Sequence, residues 1–115
     1  MMMKPNPERE NEIESLEDLG EHTLQRQDSA ALVEALSSLF PEMAWRREDG
    51  GWFGTLKGDD SWYEFGIEEA ADYSWSIRTS PRAGTRNLVP VICDALGLLA
   101  FDGQANLLIW PAGGR

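Results

Sequence analysis

A chain of 115 residues that is 42% hydrophobic and 26% charged has the make-up of one ordinary globular domain, which excludes wholesale disorder. Its 20 acidic and 10 basic residues leave a net charge of −10. Phosphate backbones repel such a surface, so nucleic acid is not an expected partner, whereas a protein partner, particularly a basic one, is.

Residues 1–27 read as an acidic, partly disordered N-terminal arm. Glu8, Glu10, Glu12, Glu14, Glu17, Asp18 and Glu21 crowd a stretch with few apolar residues. Like charges this close oppose the short helix that Ile13, Leu16 and Leu19 would otherwise suggest. A single domain is expected over 28–115. It opens with a helix capped by Asp28 or Ser29. Leu32, Ala35, Leu36, Leu39 and Phe40 share one face of that helix, and Pro41 stops it.

Four short runs follow at Met43–Glu48, Gly51–Lys57, Ser61–Glu68 and Tyr73–Thr79. Tyr63, Phe65 and Ile67 alternate with Trp62, Glu64 and Glu68, the period of a strand with one apolar face. Asp49-Gly50 suits a type I′ hairpin turn. The remaining links are too short for parallel crossovers, so the runs predict an antiparallel meander.

A loop at Ser80–Gly84 leads to a second helix, capped at Asn87 with Pro90 in its first turn and Gly97 as its left-handed stop. Leu88, Val91, Ile92, Ala95 and Leu96 form its apolar stripe. Leu98–Phe101 and Asn106–Trp110 make a final hairpin or a strand after a loop. The fold class is therefore α+β, in the order α-β-β-β-β-α-β. Two layers are expected, with both helices on one face of a twisted antiparallel sheet of four to six strands.

Chemistry is scarce. One histidine, His22, and one cysteine, Cys93, are too few for a zinc site, and one cysteine cannot form an intrachain disulfide. Cys93 sits beside Asp94, which disfavours a reactive thiolate. Asp59-Asp60 and Glu68-Glu69 fall at turns, where neighbouring carboxylates point apart. No phosphate-loop, dinucleotide or hydrolase motif occurs, so neither enzymatic activity nor a cofactor is expected. No apolar run reaches the ~20 residues of a membrane span, and the start lacks the apolar core of a signal peptide. The cytoplasm is the expected location.

Two surface features remain. With both helices on one face, Trp45, Trp52 and Trp62, with Phe53, are candidates for an exposed aromatic face serving a protein partner or a homodimer. Arg78, Arg82 and Arg86 surround the entry to the second helix. They suggest the alternative, an anion or small-ligand site at a helix N-terminus. The run Leu96–Ile109 is similar to the helix-to-hairpin junction of dimeric bacterial secretion chaperones. The small, acidic helix-plus-sheet plan also resembles bacterial immunity proteins, which neutralise toxins. Either resemblance implies a non-enzymatic protein-binding module.

Overall fold

A computed structural model describes residues 1–57, 61–69, 73–79, 88–103 and 105–112. The region 44–79 is the meander that its alternation predicts. Strands β3 (Ala44–Glu48), β4 (Gly51–Lys57), β5 (Trp62–Glu68) and β6 (Ser74–Thr79) pair in sequence order, all antiparallel. Glu48 stands opposite Gly51 across the first turn. Only Gly50 there has positive φ, at 81°, whereas type I′ requires positive φ at Asp49 as well. The hairpin is thus as expected and its turn type is not.

Helix α1 (Ser29–Leu39) is capped by Asp28, whose carboxylate accepts from the Ala30 amide at 3.1 Å. Of the expected stripe, Leu36 is buried and Leu32 and Phe40 pack partly buried against the core, joined by Val33, whereas Leu39 is exposed. Helix α2 (Val89–Leu96) carries Pro90 in its first turn and ends at Gly97, with φ 65°. It buries Ile92 and Cys93, and Val91 and Ala95 face outward. Its N-cap position is Leu88, which makes no side-chain cap, rather than the expected Asn87, which lies outside the described residues. Beyond α2, β7 (Leu99–Asp102) and β8 (Leu107–Ile109) form the closing hairpin.

The largest departure from expectation lies in residues 1–27. Met2–Pro5 is a strand, β1, and Leu24–Gln25 is another, β2. The sheet runs β3-β4-β5-β6-β1-β7-β8, with β2 paired to the outer half of β1. Among the described residues it therefore has eight strands rather than four to six, and the element order is β-β-α-β-β-β-β-α-β-β. Met2 pairs with Trp75 on one side and Ala100 on the other, and Met3 with Ser74 and Leu99. Without this strand β6 and β7 would have no common neighbour.

Partners in antiparallel register share a face, which sorts the core into two layers. Met2, Leu56, Tyr63, Phe65, Ile67, Trp75 and Ala100 lie on one face, and Leu36 of α1 and Ile92 and Cys93 of α2 bury themselves in the same cluster. Side chains of both helices thus enter the core on this face. Phe65 stacks on Trp75 with ring centres 6.1 Å apart. Gln27 Oε1 accepts from the buried Trp75 Nε1 at 3.1 Å, which spares the core an unpaired donor.

A second cluster fills the opposite face at the β1-β7-β8 end. There Met3 and Leu99 meet Ile13 and Leu24, with Leu19, Phe101, Leu108 and Trp110 around them. The acidic segment is held down by a few apolar side chains and by local hydrogen bonds. Buried Thr23 Oγ1 donates to the Asp18 carbonyl at 2.7 Å and accepts from the Gly20 amide at 3.2 Å. The Asp18 carboxylate accepts from the Glu14 and Ser15 amides at 2.9 and 3.1 Å. Those two bonds, Glu14's foremost, hold its carboxyl below the usual range. Its glutamates project outward while Ile13 and Leu24 point in. Among the described residues no helix is long and apolar enough to cross a membrane.

Candidate partner-binding face

The segment 6–24 covers the second face of the sheet only at its β1 end. The other end, across β3 to β6, presents its side chains to solvent in four rows set by the register. The first row, at the 49–50 turn, holds Glu48, Gly51 and Glu68. The second holds Arg46, Phe53, Gly66 and Ser76, and the third Ala44, Thr55, Glu64 and Arg78. The fourth, leading into the 58–60 link, holds Lys57 and Trp62.

Trp62 is 41% exposed. Phe53 is half-buried, and its ring leans over Gly66, where an added Cβ would lie 3.6 Å from Phe53 Cε1. Arg46 lies 5.3 Å from the centre of the Phe53 ring and reaches Glu48 at 2.9 Å and Glu64 at 3.6 Å. Such exposed ion pairs add little stability and chiefly fix where the charges stand. The rows carry Arg46, Lys57 and Arg78 against Glu48, Glu64 and Glu68, three charges of each sign. In a chain with net charge −10 this face is locally neutral.

Of the three tryptophans singled out from the sequence, only Trp62 lies here. Trp45 and Trp52 are in register with Gly54 and Ile67, on the helix-covered face. Both are half-buried against the main core. Trp52 carries the Arg47 guanidinium 4.3 Å from its ring centre, and Arg47 is ion-paired with Glu69. They form a flank of the core beside edge strand β3, and the structure does not bring them together with Trp62. Phe53 belongs to the exposed face. Its address follows from carrying the alternation of β5 through the register to β4.

Arg78 stands opposite Glu64 on the same face. Arg82 and Arg86 lie outside the described residues, as do Asp59 and Asp60, so the arginine cluster is not assembled by the described structure. Among the described residues, no group of three or more His, Cys, Asp or Glu is placed to hold a metal ion. His22 is exposed. Cys93 is fully buried, and burial first, then the adjacent Asp94 carboxylate, push its thiol up to about 11.

A thiol so placed reacts only when the chain opens. At pH 8 the folded protein is expected to react with an aromatic disulfide reagent more than about a hundredfold slower than the denatured chain, whose thiol has its ordinary pKa of about 8.5. Equal rates in buffer and in denaturant would contradict the burial.

Comparison of the chain with protein-family models, with curated proteins and with solved structures found no match to any of them.

Proposed function

We propose that the protein is a protein-binding module that engages its partner through the exposed face of β3 to β6. The observation that carries this reading is Trp62, 41% exposed on a strand whose other face is buried in the core. An indole held on a rigid strand brings large contact area at little cost in conformational freedom, and tryptophan and arginine dominate the energetics of protein interfaces. On the same face stand Phe53, Arg46 and Arg78, presented by paired strands rather than by a loop. Neutralising a toxin or escorting a secreted protein are the two forms of such binding that the sequence resembles.

In capture experiments from the native host, Trp62→Ala is expected to weaken recovery of the partner by about thirtyfold, the cost of losing a hot-spot residue. The melting temperature should stay within a degree or two. Leu107→Ala, which changes an exposed residue of β8 at the far edge of the sheet, serves as the control. Capture that is equal for wild type and Trp62→Ala would defeat the proposal.

A further inference from the structure

We infer that the occupant of this face is a second copy of the chain, packed sheet to sheet about a two-fold axis. The inference rests on the reading of the β3–β6 face as a protein-binding surface and names its partner. Two copies with net charge −10 repel each other over most of their surfaces. Among the described residues, the rows of the exposed face carry three charges of each sign, so that repulsion is weakened there.

Those charges are also ordered along the strands. Glu48 and Glu68 mark one end of the face and Lys57 and Trp62 the other. Stacked sheets keep their strands within about 30° of one another at a separation of ~10 Å. If the two copies ran parallel, the Glu48–Glu68 row of each would lie over its own counterpart. Running antiparallel, which a two-fold axis across the strands provides, each Lys57–Trp62 row lies over the partner copy's Glu48–Glu68 row. The interface is then self-complementary in charge, as an isologous dimer requires.

The test exploits the length of the strand. Residues 57 and 68 stand at opposite ends of the β4–β5 ladder, roughly 20 Å apart at ~3.3 Å per residue. That is well beyond the ~8 Å screening length at physiological salt, so within one chain they do not interact. Sedimentation velocity on the full chain at about 100 μM is expected to show a species of twice 12.9 kDa. Trp62→Glu should make it monomeric. Lys57→Glu alone and Glu68→Lys alone should each weaken association by about tenfold or more, because each places like charges together twice. An equimolar mixture of those two variants should dimerise again, since both contacts in the mixed dimer pair opposite charges.

A monomeric wild-type chain at this concentration overturns the inference. So does a dimer that is indifferent to Trp62→Glu, or one that the mixture fails to restore. If the chain is monomeric but Trp62→Ala still abolishes capture of another protein, the proposed function stands and only the identity of the partner falls. All variants should keep the wild-type melting temperature to within a few degrees, which shows that each result reports on association.

Discussion

Replacing Met2 and Met3 together by alanine is expected to cost at least about 4 kcal/mol, enough to leave the chain largely unfolded at 37 °C. Each side chain is essentially inaccessible, at 1% and 0% exposure, and each points into a different cluster. Truncating a buried methionine to alanine typically costs about 2–5 kcal/mol, from lost transfer energy and from the cavity left behind. The two losses fall on opposite faces of one strand, so neither cavity can be filled by the same rearrangement. A domain of this size has only about 5–15 kcal/mol to lose. Urea titration checks the result, with Met1→Ala, 40% exposed, as the control that should change stability by less than about 0.5 kcal/mol. If the double variant and the control unfold at the same urea concentration, β1 does not stand in the centre of the sheet.

Gly54→Ala is the second change expected to matter, although it adds a single methyl group. Gly54 lies in β4 opposite Trp45 on one side and Phe65 on the other. A Cβ there would stand 2.9 and 3.0 Å from Cζ3 and Cε3 of Trp45 and would also collide with the Met43 sulfur. The methionine can swing away, but the indole is wedged against the core and its Nε1 is already buried without an acceptor among the described residues. Overpacking of this kind costs about 1–3 kcal/mol, or roughly 4–20 °C in melting temperature for a domain near 100 residues. Gly103→Ala meets nothing within 4 Å and should melt with the wild type. A Gly54→Ala variant as stable as Gly103→Ala would show that Trp45 is not packed across β4.

Both predictions concern features that the sequence reveals unequally. The meander was open to reading because Tyr63, Phe65 and Ile67 alternate with polar or exposed neighbours and because the links between strands are short. Chain reversal over so few residues leaves only antiparallel pairing. The side of the sheet on which Trp45 and Trp52 lie was also recoverable, since a two-residue turn at 49–50 sets Trp45 opposite Gly54 and Trp52 opposite Arg47. Carrying that register on to β5 aligns Trp52 with Ile67, hence with the core. Reading each strand's alternation separately loses this information, because a slip of one residue exchanges the faces.

The N-terminal strand left almost no trace. Met2-Met3-Lys4-Pro5 is too short to show a period, is buried on both faces at Met2 and Met3, and precedes a run of glutamates that suggests solvent. Methionine has no strong preference for strands, and what fixes these two is pairing with residues distant in sequence. Composition described the segment's outer surface correctly and was silent about the handful of side chains that anchor it.

The place of β1 has a kinetic consequence. Its hydrogen-bonded neighbours, Trp75 and Ala100, follow it by roughly seventy and almost one hundred residues, whereas β3 to β6 form through hairpins of short span. Closing such long loops before any contact rewards them slows folding, as high contact order does generally. The meander is therefore expected to assemble early and the insertion of Met2 and Met3 to be the late, rate-limiting event. Substitutions in β1 should then leave the early collapse unchanged and slow the final folding phase.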